Sequence, residues 1–327
     1  MTQPLRWGMT VPLDGPLHAQ RDQIVELEDL GYTDLWSAEA NGHDAFTPLA
    51  LASAWAPSLR LGTAIVPAFT RAPACLAQSV ASLAQAAPGR FALGIGTSSN
   101  VIVENWNGVP FEKPYQRVKD VVRFLRVALA GEKVTETYDS FDIKGFRLGV
   151  KVKEPVPILV AALREGMLKL AGREGDGAII NWLSADDASV VTKVVRDAAA
   201  AAGRPEPEIC ARVFVAPVDD PDTVRSMGKF AIASYLTVPV YAAFHEWLGR
   251  GDQLAGLWQK WKEGDRQGAL AEIPDSLVDE LIVHGPPEKC REQLQQYAAN
   301  GVTTFALAPL PFGYDPAQAR RDLAPVR

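Results

Sequence analysis

Short runs of apolar and β-branched residues alternate with longer amphipathic runs from one end of this chain to the other, and few folds accommodate that alternation. Strands are expected at Arg6–Pro12, Asp34–Glu39, Arg60–Pro67, Arg90–Thr97, Pro157–Ala162, Gly177–Trp182, Ile209–Pro217 and Thr303–Pro309. Helices are expected between them at Leu17–Leu30, Pro48–Trp55, Ala74–Ala86, Tyr115–Leu129, Glu165–Arg173, Asp186–Ala202 and Glu288–Asn300, several opened by Pro or Asp and closed by Gly. The strand runs are nearly continuous in apolar residues, as suits parallel strands covered by helices on one face and by a barrel core on the other. Eight such units, in a chain longer than the roughly 250 residues typical of a β/α barrel, predict an α/β fold, an eight-stranded parallel TIM-type barrel. A doubly wound sheet is the alternative.

Two segments do not fit the repeat and account for the extra length. Residues 133–150 read as a hairpin-like excursion and residues 236–281 as an insertion of short helices. Insertions of this kind build pocket walls. With no linker or low-complexity tract, residues 1–327 are expected to form a single barrel domain.

Charge narrows the partners. The chain has 33 Lys+Arg against 39 Asp+Glu, a net charge of -6, and no basic run, which disfavours nucleic acid and anionic membrane. A small molecule is the expected partner. The three widely spaced cysteines, Cys75, Cys210 and Cys290, suggest reduced thiols and a cytoplasmic location. The N-terminus lacks an apolar signal core, and no stretch approaches 18 uninterrupted apolar residues.

Hydrolytic chemistry finds no footing. The four histidines, His18, His43, His245 and His284, share no metal-ligand spacing, and neither HExxH nor a CxxC pair occurs, so no metal site is expected. No GxSxG elbow is present, and Cys75 has no neighbouring base in sequence. Gly94-Ile95-Gly96-Thr97-Ser98-Ser99 follows a strand, but it lacks the third glycine of a dinucleotide fingerprint and an acidic partner further on. What it offers is a close backbone approach and a row of small polar side chains. The other strand ends carry Trp36–Glu39, Ala64–Pro67, Ala161–Arg164 and Asn181–Trp182, and all would open on the face where barrel enzymes keep their sites. Small residues, an aromatic and a carboxylate converging there suit a flat heteroaromatic ligand. Trp106 and Trp182 follow strand ends and are the expected substrate-pocket aromatics; Trp258 and Trp261, at helical spacing, are expected to pack.

The segments LWSAEANGHDAFTPLA, RLGTAIVPAFTRAP, RFALGIGTSSNVIVENWNGVPFEKPYQRVKD and PVPILVAALREGMLKLAGREGDGAIINW resemble the luciferase-like monooxygenase superfamily, and within it the branch that uses the deazaflavin coenzyme F420. The resemblance runs over essentially the whole chain. It implies an F420-dependent oxidoreductase passing a hydride between the deazaflavin and a small carbonyl, imine or activated alkene. An FMN-dependent monooxygenase is the alternative within the fold, and a non-catalytic flavin or deazaflavin carrier the alternative from another class. It also implies a non-proline cis peptide at Ala64–Ile65 behind the ring, Glu39 and the Gly96-Thr97-Ser98 turn beside it, Ala161, Ala162, Leu163 and Arg164 near the phosphate, Asn181 at the cofactor, and a homodimer. The sugar-phosphate dehydrogenases of the superfamily carry a catalytic His after the acidic residue of strand two. Ala40 stands there, so Glu39 and His43 are the catalytic candidates.

Overall fold

The computed structural model describes residues 4–326. Eight parallel strands close on themselves: β1 (Arg6–Val11), β2 (Asp34–Ser37), β3 (Arg60–Thr63), β4 (Phe91–Gly96), β5 (Ile158–Ala161), β6 (Gly177–Asn181), β7 (Glu208–Ala216) and β8 (Thr304–Pro309). Each pairs with its neighbour in sequence order, and β8 returns to β1 with Phe305 opposite Trp7. The expected barrel is the observed one.

Helices coat it: α1 (Arg21–Asp29), α2 (Phe46–Trp55), α3 (Pro73–Ala86), α4 (Pro114–Leu129), α5 (Glu165–Glu174), α6 (Ala185–Ala201) and α7 (Pro221–Leu236), then α8 (Pro239–Trp247), α9 (Gly251–Glu263), α10 (Arg266–Ala271), α11 (Asp275–Leu281), α12 (Pro287–Ala299) and α13 (Pro316–Asp322). Their inner faces follow the helical period; in α4 the buried residues include Val118, Val121, Val122 and Leu125. A capping box opens α6: the Ser184 hydroxyl accepts from the Asp187 N–H, and the Asp187 carboxylate accepts from the Ser184 N–H.

Three departures from the sequence expectation have local causes. The helix expected over Leu17–Leu30 breaks at Gln20, whose buried amide accepts from the Leu13 N–H and donates to the Leu13 and Gly15 carbonyls. Helix α7, absent from the expected set, begins at Asp220-Pro221, with the Asp220 carboxylate accepting from the Asp222 and Thr223 N–H groups. Asp315-Pro316 starts α13 in the same way.

Residues 133–150 hold an antiparallel pair, Val134–Thr137 with Asp142–Phe146. Residues 236–281 hold α8 to α11. These helices share an apolar cluster with α7 and the upper ends of β6 and β7, built on Trp182, Phe214, Leu236, Leu254, Leu257 and Val278. Trp258 and Trp261 pack against this cluster. Among the described residues, no helix is long and apolar enough to cross a membrane.

Candidate active site

The barrel interior is layered, and each layer restricts the one above. At the N-terminal end Asp34, fully buried, accepts from Arg6 Nε at 3.0 Å and from Thr33 Oγ1 at 2.5 Å. Arg60 forks onto Glu208 at 2.8 and 2.7 Å, and Thr304 Oγ1 donates to Glu208 at 2.7 Å. Burial pushes the Asp34 carboxyl above its ordinary value, and Arg6 and Arg60 offset only part of that push. Burial acts the same way on Glu208, yet there the Arg60 fork outweighs it and holds the carboxyl below its usual range. This charged floor seals the bottom of the barrel.

Trp36 lies above it, surrounded by Ala92, Leu159, Ile179, Cys210 and Ala306. A Cβ on Gly62 would stand 2.3 Å from the indole, and one on Gly8 2.7 Å from it, so glycine on two flanking strands makes the room that Trp36 fills. The core is thereby plugged to mid-height. Space for a ligand lies only toward the C-terminal ends of the strands.

At that mouth, the β3–β5 wall is built from the smallest side chains. Ala64, Ile65 and Ala161 pack onto the Trp36 layer, and a Cβ on Gly96 would stand 2.8 Å from the Ala161 Cβ and 3.3 Å from Ile65. The Ala64–Ile65 peptide is cis, where the family resemblance puts it. Ser98 (φ 61°) and Trp182 (φ 52°) hold left-handed backbone just past β4 and β6, a conformation uncommon for residues other than glycine. Several polar atoms around the mouth have no partner: Thr10 Oγ1, Asn181 Oδ1 and Arg212 Nε. Buried polar groups are ordinarily satisfied, so these atoms are open to a hydrogen bond from water or from a bound molecule.

The expected site residues distribute unevenly around this space. Glu39 follows β2, and its carboxylate accepts from Arg71 Nη2 at 2.9 Å and from the Ala45 N–H at 3.2 Å. It is an ion-paired group, tied to the loop that follows β3. His43, on the exposed loop that follows, has no partner among the described residues. Thr97 and Ser98 lie half-buried past β4, with Thr97 Oγ1 donating to the Ser98 carbonyl. Ala162 is buried, Leu163 half-buried and Arg164 exposed at the start of α5, which has no side-chain N-cap, so its first N–H groups stay open.

The two aromatics part company. Trp106 sits on a π-helical turn, Val101–Trp106, that the sequence did not suggest, and is 54% exposed. Trp182 is 1% exposed, its indole stacked on Phe214 at 4.1 Å. The chain reverses at Trp182 and lays the ring against the α7–α8 side, so Trp182 is a sealed wall, not an open pocket surface.

Arg212 was missed by sequence reasoning. The strand register sets it beside Asn181, and its guanidinium lies over the Phe214 ring at 4.8 Å. The signal was present: a lone Arg in the run ICARVFVAP, two residues from Cys210 and from Phe214, shares their inward face by the period of a strand.

Known proteins share this fold. The family model for luciferase-like monooxygenase matches residues 2–304. A 5,10-methylenetetrahydromethanopterin reductase of Methanolobus tindarius is 27% identical over 293 residues, covering 88% of each chain. An F420-dependent glucose-6-phosphate dehydrogenase of Kineococcus radiotolerans is 27% identical over 307 residues, 86% of this chain and 91% of that one. Among solved structures, the coenzyme F420-dependent tetrahydromethanopterin reductase of Methanopyrus kandleri superposes with a TM-score of 0.79 at 19% identity, covering 98% of this chain and 97% of its own.

Proposed function

Since the chain belongs to the luciferase-like monooxygenase family, we propose that it is a coenzyme F420-dependent oxidoreductase, passing a hydride between the deazaflavin and a small carbonyl, imine or activated alkene. The observation that carries this reading is the asymmetry of the mouth. One wall is reduced to Ala64, Gly96 and Ala161, against which a flat ring can lie, while unpartnered polar atoms gather on the other side. The residues present thus fit a planar heteroaromatic group.

When bound, the deazaflavin supplies a ring carbon that gives or takes two electrons as hydride. The chain supplies position. Ala64, Ile65 and Gly96 set how close the ring comes, and Thr97 and Ser98 offer hydroxyls at its edge. The open N–H groups at the start of α5, with Ala161, Ala162, Leu163 and the exposed Arg164, suit the cofactor phosphate, because a helix N-terminus favours an anion. Glu39, tied to Arg71 and to the Ala45 N–H, fixes the loop after β2 as a positioning group. His43, exposed on that loop, is the second catalytic candidate. Within this reading the substrate is a small molecule, the three unpaired cysteines suit a reducing cytoplasm, and the working unit is a homodimer.

Equilibrium titration of the purified protein with F420 and with FMN tests the reading. Micromolar or tighter F420 binding with much weaker FMN binding is expected. The reverse preference, with oxygen consumed on turnover, would move the protein to flavin monooxygenase chemistry, and binding of neither would remove both.

A further inference from the structure

Arg212 is a cation inside the barrel without an anion. Among the described residues no carboxylate lies within ion-pair distance of it, and no hydrogen bond engages its guanidinium, which lies over the Phe214 face at 4.8 Å. Every other arginine directed into this barrel is matched: Arg6 with Asp34, and Arg60 with Asp34 and Glu208. Arg212 is half-buried, and its Nε is shut from solvent with no acceptor, a bond that the Phe214 face cannot supply. The missing partner is therefore expected from outside the chain.

Two neighbours shape what that partner can be. Asn181 stands beside Arg212 in the strand register and donates its Nδ2 to the Tyr241 hydroxyl at 3.2 Å, which leaves the Tyr241 O–H free to donate in turn. Tyr241 belongs to α8, part of the inserted segment, so the site is assembled only when that segment is in place. A planar fork of N–H donors beside a phenolic O–H matches a carboxylate. Because β7 lies four strands from β3 around the ring of eight, Arg212 faces the Ala64–Ile65 wall from the opposite side.

We propose that Arg212, with Tyr241 and Asn181, binds the carboxylate of the substrate, so that the enzyme acts on small organic acids held between this cation and the exposed face of the deazaflavin. This rests on the F420 reading for its geometry. The anion site itself does not depend on that reading.

Calorimetric titration with benzoate, its neutral analogue benzamide and inorganic phosphate tests it, run on wild type, Arg212→Gln, Arg212→Lys and Tyr241→Phe, with F420 titrated separately into each. Benzoate should bind at least roughly tenfold tighter than benzamide, and Arg212→Gln should erase that preference, the loss expected for a charged hydrogen bond. Arg212→Lys should keep part of it, Tyr241→Phe should weaken benzoate severalfold, and F420 affinity should stay within about threefold throughout. Near-UV circular dichroism reports whether each variant is folded; if Arg212→Gln is not, the benzoate preference of Arg212→Lys and Tyr241→Phe decides. Equal binding of benzoate and benzamide by wild type overturns the proposal, as does phosphate binding without benzoate binding. A fall in F420 affinity on Arg212→Gln matching the benzoate loss also overturns it, since the cation would then face the cofactor. Arg212-dependent benzoate binding in a protein that ignores F420 would uphold the anion site and remove the cofactor reading alone.

Discussion

The Trp36 indole occupies the place a side chain on Gly62 would need: a Cβ there would stand 2.3 Å from Cζ3 and 2.4 Å from Cε3. Trp36 is fully buried, so neither group can yield without moving a strand. Gly62→Ala should therefore lower stability by about 1–3 kcal/mol through overpacking. Trp36→Leu should lower it through the cavity it leaves. In the double variant the new methyl enters that cavity, and urea denaturation should show a combined loss smaller than the sum. Strict additivity would mean that the glycine is not there for the indole.

The barrel floor predicts an acid response with a definite sign. Glu208 is held below its ordinary carboxylate value by the Arg60 fork, so its contribution is fully present above about pH 4.5 and is lost as the pH falls further. Asp34, raised by burial, works against ionisation and softens the total. Glu208→Gln should cost about 1.5–3 kcal/mol at pH 7, because Arg60 loses its charged fork and keeps only the 3.5 Å contact with Asp34. It should also flatten the loss of stability below pH 4.5. Denaturation midpoints at pH 7 and pH 4 for both proteins decide; an equally steep acid limb in the variant would assign that limb to other groups.

Gly96 tests the cofactor wall. An added methyl would meet the Ala161 Cβ at 2.8 Å, so Gly96→Ala must push β5 outward or project into the space assigned to the ring. F420 affinity should fall by roughly tenfold or more, with a stability loss of about 1–3 kcal/mol. Ala161→Gly added to it opens the same volume and should recover much of both. Wild-type affinity in Gly96→Ala would mean that the ring lies elsewhere in the mouth.

Much of this fold was legible because strand and helix periods are local. ICARVFVAP and GAIINW read as buried strands whatever surrounds them, and the eightfold alternation leaves little but a barrel. The site was legible only in outline. Gly96 and Ala161 are visible as small residues at strand ends, but their contact across β4 and β5 is tertiary. Glu39 was found by position, while its pairing with Arg71 depends on how the loop after β3 folds back, and no sequence period encodes that. Arg212, Asn181 and Tyr241 come from three separate segments and meet only through strand register and the docking of α8.

His245 gives the inserted helices their own pH dependence. It is 0% exposed on α8, and neither ring nitrogen has a hydrogen-bond partner. Burial pushes its pKa down to about 4 and Arg250 adds to that push, while Asp187 and a weak approach of the Trp182 backbone oppose it. The folded state thus holds the imidazole neutral, while the unfolded chain protonates it near pH 6.5. Its linkage leaves stability intact above pH 6.5 and removes it as the pH falls toward 4, by up to roughly 3 kcal/mol. In His245→Leu the loss between pH 6.5 and pH 5 should shrink by about 1.1 kcal/mol per pH unit. Equal slopes in the two proteins would show that the folded state accepts the proton. Tyr241 rides on the same helix, so acidification should weaken benzoate binding before it weakens F420 binding, and His245→Leu should bring the two losses together.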